Sequence, residues 1–333
     1  MLRIYKKRRL LLVLSLVMVA ALALAGCQKS PDTEQGDKNI QVKEITIATG
    51  GAGGPYHTIA TGLAEIWNEK IEGINVTVAS TGASVINNRM VNEGKAELAF
   101  TMSDIAYYGN KGVEMFDSPL ENVMGFSAMH TNFVQLITTK DSGINSVYEL
   151  KGKRVGVGAP GSGTELNARH VLAAHGITYE DLAKADYLSY AETCEQLANR
   201  NIDAGFLTGG LPIAAITELA TTQNIKIIPI EAEIVEKMKN DFPIYIAGEI
   251  PAGTYKGVEE NVPTLAMKNY LIINKDIDAD LAYELVSVMY ENLERLQEYH
   301  AAVKQIKLER ALEGMVLPLH PGVERFYKEK GIK

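Results

Sequence analysis

The feature that most restricts the fold of this sequence is a series of strands that end in small polar residues. The first is an alternating run ending at Ile47, followed by four glycines within positions 50–54 and by Pro55. Apolar residues then recur with helical spacing as far as Trp67. Gly54 suits the N-cap and Pro55 the first helical position, which needs no N–H donor. The stretch predicts a strand, a loop and a helix N-terminus suited to an anion, although by itself it fits a plain glycine turn equally well.

Two further strands with polar ends follow. INVTVAS leads into the turn at 81–84, where Ser84 is placed to cap a helix that Gly94 ends. ELAFTM leads into Ser103 and Asp104. Strands that alternate with helices predict a parallel sheet with right-handed crossovers, and ligands of such sheets bind beyond the carboxyl ends of the strands. Three polar ends at one edge therefore predict a binding site.

The same arrangement recurs in the second half of the chain. A strand predicted over 154–157 is followed by a glycine-rich loop and a helix, with Ser162 and Glu165 at capping-box spacing. Gly163 and Thr164 then lie at a second helix N-terminus with amides free for an anion. The sequence thus predicts two α/β lobes with polar strand ends facing a common opening.

Nucleotide and nucleophile motifs fit this loop poorly. Gly156, Gly158 and Gly161 match GxGxxG, but Pro160 lies inside the turn and the ribose-binding acid would fall near Glu192, beyond the usual interval of about 20 residues. A P-loop would need a lysine after the last glycine, and a nucleophile elbow would need glycine where proline stands. The sequence therefore predicts neither a dinucleotide site nor a P-loop.

The remaining elements complete the two lobes. Separate strands are predicted on either side of Thr131-Asn132, and a long amphipathic helix with a break near Tyr299 is predicted toward the C-terminus. The predicted strands and helices are 126–130, 133–139, 166–174 (helix), 187–190, 191–198 (helix), 202–206, 213–220 (helix), 226–230, 232–239 (helix), 264–273 and 278–305 (helix).

The N-terminus carries the pattern of an export signal. Residues 1–27 combine a basic start, an apolar run of about 16 residues and the sequence Leu-Ala-Gly-Cys, which resembles a bacterial lipobox with Cys27 as the lipidated residue. An uncleaved anchor is the alternative, although the apolar run is short of the roughly 20 residues that span a bilayer. Residues 28–43 are polar and predict a flexible tether. The mature protein is expected outside the cytoplasm, lipid-anchored on the outer face of the membrane or periplasmic.

Charge and side-chain chemistry narrow the function classes. Removal of residues 1–26 moves the formal net charge from −8 to −13, which disfavours nucleic acid as a partner. Cys194 is the only cysteine left, and neither cysteine pairs nor HExxH indicate zinc. No motif brings Ser, His and Asp together, so no catalytic residue is predicted. His57, in the first helical turn, either orients a carboxylate or packs against its neighbours.

Five blocks, in this order, resemble one receptor family. They are TGGAGGPYHTIATGLA, STGASVINNRMVNEGKAELAFTMSD, LKGKRVGVGAPGSGTE, FLTGGLP and PLHPGVERFYKEKG. They resemble the TAXI-type solute receptors (TRAP-associated extracytoplasmic immunogenic proteins), the binding components of tripartite ATP-independent periplasmic (TRAP) transporters. The resemblance covers the chain from Ile45 onward. His57 stands where the family usually has a second aromatic residue, which leaves the identity of the ligand open.

The resemblance implies a type II periplasmic-binding-protein fold. Two lobes, 44–135 with 265–333 and 136–264, would be joined by crossing segments near 133–139 and 264–271. It also implies a small organic acid or an acidic amino acid such as glutamate as the ligand, membrane subunits as partners, and neither cofactor nor metal. Closure around the ligand would follow because only the shut form lets both lobes touch it.

By position, the resemblance places ligand-binding residues on both lobes. Asp104 either holds an ammonium group of the ligand or caps its own helix. The implied residues are Gly54, Tyr56, Ser80, Thr81, Ser84, Asn87, Ser103 and Asp104 in the first lobe, and Ser162, Gly163, Thr164 and Gly209 in the second.

Two other function classes remain open at the level of sequence. An exported α/β hydrolase or transferase could use the same cleft, but it would need an activated nucleophile. A ligand sensor that reports to a membrane kinase would share every binding feature of a transport receptor.

Overall fold

The structure is a computed structural model that describes residues 43–333. The predicted signal peptide, Cys27 and positions 28–42 of the predicted tether lie outside the described residues. Lys43, predicted as the last tether residue, is the first residue of a strand. Within 43–333 every helix is too short or too polar to cross a bilayer.

Ten strands between Lys43 and Asn274 form one mixed sheet. The order of hydrogen-bonded neighbours is β2-β1-β3-β10-β4-β7-β5-β6, with β8 added to β4 and β9 added to β10. The strands are β1 (Lys43–Ala48), β2 (Ile74–Ala79), β3 (Leu98–Met102), β4 (Val123–Thr139), β5 (Arg154–Gly156), β6 (Lys184–Asp186), β7 (Ala204–Gly209), β8 (Ile225–Ile228), β9 (Ile246–Ile250) and β10 (Val262–Asn274).

Helices cover both faces of this sheet. In the described part of the chain they are α1 (Pro55–Lys70), α2 (Ser84–Asn92), α3 (Ser103–Lys111), α4 (Gly163–Ala174), α5 (Tyr190–Ala198), α6 (Ala214–Thr222), α7 (Ala232–Met238), α8 (Ala279–Glu291), α9 (Leu293–Leu296) and α10 (Pro321–Glu329).

The sheet consists of two parallel ribbons on either side of a long antiparallel pair. β1 runs parallel to β2 and β3, and β5 runs parallel to β6 and β7. Between these ribbons, β4 and β10 run antiparallel to each other. We call the ribbon β2-β1-β3 with α1–α3, α8 and α10 the first lobe, and the ribbon β7-β5-β6 with α4–α7 the second lobe. The predicted α/β class with mainly parallel strands in each lobe is confirmed.

The long strands pass from one lobe to the other. Phe133 is the point on β4 where pairing with β7 begins, opposite Gly209, and it also pairs with Ala266 of β10. On β10, residues 269–273 pair with β3 of the first lobe, and a register shift lies next to them between Lys268 and Tyr270. A bulged, two-stranded connection of this kind can twist without breaking either ribbon.

The separate strands predicted around Thr131-Asn132 are one strand. Asn132 was predicted to separate them, but it is fully buried and its Nδ2 donates to the Tyr56 hydroxyl at 3.1 Å. Thr131 N donates to Gln305 Oε1 at 3.0 Å. Because side chains satisfy these polar groups, the backbone stays extended through β4.

Two predicted elements are placed differently in the structure. Residues 187–190 were predicted as a strand, but Ser189 caps α5 in a capping box with Glu192, so Tyr190 is the first helical residue. Ser84 was predicted as the cap of α2; the cap is instead Ala83, with φ 74°, and Ser84 Oγ accepts from Met102 N at 3.2 Å. Ser84 therefore ties α2 to β3.

The long helix predicted over 278–305 is wrong beyond Glu291. α8 ends there, α9 spans one turn, and a 3-10 turn covers Ala301–Gln305. His300 Nε2 donates to Pro212 O in the second lobe at 3.1 Å, while its Nδ1 accepts from Ala302 N. These contacts bend the chain across to the second lobe, which a straight helix would not reach.

The core holds the helices of the first lobe in place around the loop that follows β1. Trp67 is fully buried, packs edge-on against Phe126 and donates its indole N–H to Leu285 O at 3.0 Å. A second apolar cluster is shared between the lobes and contains Met102 and Ile105 of the first lobe with Leu166 of the second. The two lobes are therefore in apolar contact in this structure.

Candidate functional site

A cavity of about 70 Å³ lies between the lobes at the carboxyl ends of β1, β3 and β7. Typical pockets for whole ligands are larger, roughly 300 Å³ or more. Both lobes contribute to its wall, so a solute bound here would touch both. The lining residues are Gly50, Gly51, Gly54, Pro55, Tyr56, Thr81, Gly82, Ala83 and Met102 of the first lobe and Ala159, Ser162, Ser189, Tyr190, Thr208 and Gly209 of the second.

Two tyrosines line the cavity with their rings while their hydroxyls bond inside the protein. The Tyr56 ring stacks on Phe100 with centroids 5.1 Å apart, and its hydroxyl accepts from Asn132. Tyr190 donates its hydroxyl to Thr208 O. Burial raises the pKa of both phenols above the ordinary value, so both stay neutral. Their rings present an uncharged, largely apolar wall.

Three helices, α1, α4 and α5, begin at this cavity. Their N-cap residues, Gly54, Ser162 and Ser189, all line it. Ser162 Oγ accepts from Glu165 N at 3.1 Å and Ser189 Oγ accepts from Glu192 N at 3.4 Å, while Gly54 brings no side-chain cap. The amides of the residues just after each cap have no partner within their own helix. Three positive dipole ends thus converge on one small volume.

Thr208 places an unpaired hydroxyl at the same cavity. The residue is 2% exposed, and its Oγ1 has no hydrogen-bond partner within residues 43–333. An unpaired buried hydroxyl destabilises a protein by roughly 1–3 kcal/mol. Thr208 Oγ1 is therefore a donor for which the described residues supply no acceptor.

Asn87 holds the ends of the first-lobe strands together from beneath the site. It is fully buried, and its Nδ2 donates to Phe100 O at 2.7 Å and to Thr49 O at 2.9 Å. The Thr81 hydroxyl lies 2.6 Å from Asn87 Oδ1 and accepts from Ala83 N at 2.8 Å. Asn87 therefore fixes the turn that lines the cavity without lining it itself.

We expect Asn87→Ala to lower the free energy of unfolding by about 2–3 kcal/mol, because the buried amide's hydrogen bonds to Phe100 O, Thr49 O and the Thr81 hydroxyl are lost together. Urea denaturation followed by circular dichroism measures this loss. The matched control is Asn75→Ala, since Asn75 is an exposed asparagine that donates to Glu44. The control should stay within about 0.5 kcal/mol of the parent. Equal stability of the two variants would contradict the role given to Asn87.

Asp104 is the centre of a buried polar cluster between the lobes. It is fully buried, and its Oδ1 accepts from Ile105 N at 2.8 Å. Its Oδ2 accepts from Asn167 Nδ2 at 2.8 Å and from the Tyr245 hydroxyl at 3.3 Å, both in the second lobe. Burial raises the pKa of this carboxyl to about 6. Both oxygens are therefore already engaged by protein donors.

The residues implied for ligand binding divide into two groups. Gly54, Tyr56, Thr81, Ser162 and Gly209 line the cavity. The others surround it: Ser80 is exposed at its rim, Thr164 Oγ1 is 3.1 Å from the Tyr190 hydroxyl, and Ser84, Asn87, Ser103, Asp104 and Gly163 are buried behind its wall.

Tyr190 is the lining residue of greatest consequence that the sequence reasoning missed. Its ring lies 3.3 Å from the position a Cβ would take on Gly54, so it closes the second-lobe side of the cavity. The signal was present in the sequence: Ser189 and Glu192 have capping-box spacing, which marks a helix beginning at Tyr190. Residues 187–190 were predicted as a strand instead.

The lobes approach each other closely around the cavity. Val85 N donates to Gly161 O at 3.2 Å across the gap. A Cβ on Gly82 would lie 2.7 Å from Pro160 O, and one on Gly163 would lie 2.5 Å from Met102 Sδ. Glycine at these positions lets the two backbones meet, so the structure represents a closed arrangement of the lobes.

Solved structures with the same fold come from the periplasmic binding proteins. A protein of Bordetella bronchiseptica RB50 shares 19% identity and a TM-score of 0.52, with 84% of this chain and 84% of that chain covered. The binding-protein component of an ABC phosphonate transporter from Pseudomonas aeruginosa shares 11% identity and a TM-score of 0.52, with 80% of each chain covered. Together with the crossing strands, these likenesses confirm the expected type II periplasmic-binding-protein fold.

The fold and the cavity between its lobes thus define a two-lobed protein with the periplasmic-binding-protein fold. Residues 47–331 match the model of the NMT1-like family. The chain belongs to that family.

Proposed function

We propose that the protein is an extracytoplasmic solute-binding receptor of a TRAP transporter. It would capture a small carboxylate or an acidic amino acid of the glutamate or glutamine type between its lobes and deliver it to the membrane subunits. The observation that carries this proposal is the cavity that both lobes line, with three helix N-termini directed at it. Such termini favour an anion by roughly 0.3–1 kcal/mol each.

Closure supplies the mechanism of capture. The second lobe contributes Ser162, Ser189 and Thr208 to the cavity only when it meets the first. A solute that contacts both lobes stabilises the closed form relative to the open one, and this difference in contacts shifts the equilibrium. We place the hinge where β4 and β10 change partners, near the proposed lobe boundaries at 135 and 265. The closed surface would be the form that the membrane subunits recognise.

The arrangement of hydroxyls favours binding over hydrolysis. Ser162 and Ser189, which line the cavity, accept capping hydrogen bonds from backbone amides. His57 Nδ1 lies 3.3 Å from Ser80 Oγ, but neither residue lines the cavity. Without an adjacent base, a serine hydroxyl is a weak nucleophile. We therefore propose a receptor that returns its ligand unchanged.

The proposed location follows from the N-terminal pattern. A lipid on Cys27 and the tether that follows would hold the receptor at the outer face of the cytoplasmic membrane, or in the periplasm, near the membrane subunits. No nucleic acid, cofactor or metal has a part in this proposal.

Native mass spectrometry of the purified protein tests the receptor role. We expect a small acid to co-purify and to be recovered intact after denaturation, and conversion of that acid by the protein would point to an enzyme instead.

Proteoliposomes carrying the membrane subunits test the transport role. Uptake should need both the receptor and an ion gradient, and uptake that requires ATP would contradict the TRAP assignment.

A further inference from the structure

The side chains around the cavity carry no charge that could pair with a second charged group on a solute. All fifteen lining residues within 43–333 are glycine, alanine, proline, methionine, serine, threonine or tyrosine. Backbone amides of three helix N-termini can stabilise one anionic group. A buried ammonium or a second carboxylate without its own partner is unfavourable, because ions lose their hydration on entering a protein interior.

The carboxyl that an ammonium group would need is already in use. Asp104 lies outside the lining residues and is fully buried. Its oxygens accept hydrogen bonds from Ile105 N, Asn167 and Tyr245. An amino-acid ligand could reach it only by displacing these contacts between the lobes.

The rest of the wall suits uncharged carbon. The Tyr56 and Tyr190 hydroxyls point into hydrogen bonds with Asn132 and Thr208 O, which leaves the rings at the cavity. Met102 and Pro55 add further apolar surface. Among the lining hydroxyls, Thr208 Oγ1 has no hydrogen-bond partner in the described chain, so it is free to bond a solute oxygen beside the helix amides.

We propose that the solute is a small monoanion with an uncharged, largely apolar remainder, such as a short-chain monocarboxylate, and not an amino acid or a dicarboxylate. This inference rests on the proposed receptor function and narrows its ligand. The carboxylate lies at the N-termini of α1, α4 and α5, with Thr208 Oγ1 donating to it. The carbon chain packs against the tyrosine rings.

A five-carbon series tests the charge requirement on the protein freed of co-purified solute. Pentanoate, norvaline, glutarate and glutamate differ by one ammonium group, one carboxylate or both, and propanoate with alanine repeats the comparison in a shorter chain. Isothermal titration calorimetry should show that pentanoate and propanoate bind at least about tenfold more tightly than the amino acids and glutarate, which carry an additional charged group. Equal or tighter binding of an amino acid or of glutarate overturns the inference and leaves the receptor role standing. If none of these acids binds, the charge of the co-purified solute tests the inference: a monoanion supports it, and an amino acid or a dicarboxylate overturns it. If no solute co-purifies either, the receptor role itself is contradicted.

Matched threonine variants test the contact with the anion. Thr208→Val keeps the shape and removes the hydroxyl, so monocarboxylate affinity should fall about tenfold, whereas Thr208→Ser should retain it. Thr193 is the control, because it also has a buried hydroxyl without a partner in the described chain but lies away from the cavity. Thr193→Val should leave affinity unchanged. An unchanged affinity in Thr208→Val overturns the assigned contact.

Discussion

Replacement of Gly82 by alanine is expected to weaken solute binding by about 5- to 150-fold while the protein stays folded. The new Cβ would lie 2.7 Å from the backbone oxygen of Pro160 in the opposite lobe. A backbone atom cannot move aside as a side chain can, and overpacking of this kind costs about 1–3 kcal/mol. The backbone of Gly82 has no left-handed φ, and within its own lobe the new Cβ closely approaches only the Ile86 side chain, at 3.3 Å, which can shift. The substitution therefore destabilises the closed form of the protein relative to the open form.

Titration calorimetry with the tightest-binding acid of the five-carbon series measures this loss. Small-angle scattering should show that the parent contracts on addition of the solute and that the variant does not. Gly51→Ala is the control for closure, since a Cβ there meets no atom within 4 Å. That variant should contract as the parent does. Full affinity in Gly82→Ala would mean that the solute binds without the interlobe contact seen here.

The local elements around the site could be predicted because neighbouring residues determine them. Gly54 caps α1 and Pro55 begins it, as the glycine loop indicates. Ser162 caps α4 with its side chain, as its spacing from Glu165 predicts. Such caps depend on residues three or four positions apart, which the sequence displays directly. The structure therefore has the N-termini of α1 and α4 at the predicted residues.

The roles of the buried polar residues could not be predicted, because their partners are distant in sequence. Asp104 is engaged by Asn167 and Tyr245, which lie 63 and 141 positions further along the chain. Asn132 was predicted to lie between two strands, but its contact with Tyr56, 76 positions away, buries it within a single strand. Polarity alone does not distinguish a residue that binds a solute from one that fills a buried network.

The helix predicted over 278–305 was also wrong because of a contact with a residue distant in sequence. Residues 278–305 have helical periodicity, but the chain beyond Glu291 bends so that His300 reaches Pro212 in the second lobe. A contact with another lobe overrode the local preference. The hydrogen bond from His300 to Pro212 O connects the lobes at a third place, in addition to β4 and β10.

The stability of the protein should depend on pH through Asp104. Burial raises the pKa of its carboxyl to about 6 in the folded state, against about 3.9 in an unfolded chain. The folded protein therefore binds this proton more readily, so the contribution of Asp104 to stability is greatest near pH 4 and is lost as the pH rises through 6. Asp104→Asn, which stays neutral, should gain stability relative to the parent by about 2 kcal/mol more at pH 7.5 than at pH 4.5.

Only the difference between parent and variant isolates this effect, because buried histidines act in the opposite direction. Burial lowers the pKa of His130 to about 3 and that of His170, which contacts Tyr245 at 2.7 Å, to about 4. Both make the parent less stable as the pH falls below 6.5, and both are present in the variant. Tyr245, Tyr108 and Tyr270 also face Asp104, but burial raises the pKa of each phenol, so none titrates in this window.

Asp278→Asn is the control for an exposed carboxyl. Backbone amides of Leu281 and Asp280 at the start of α8 lower the pKa of Asp278, so its contribution to stability is lost only at a pH below that of an ordinary carboxyl. Urea unfolding between pH 4.5 and 7.5 should therefore give a nearly flat difference profile for Asp278→Asn and a rising one for Asp104→Asn. Parallel profiles would show that the Asp104 carboxyl is not buried between the lobes in solution. A rising profile for Asp104→Asn alone would show that its carboxyl is buried in the folded protein with a raised pKa, as its place between the lobes requires.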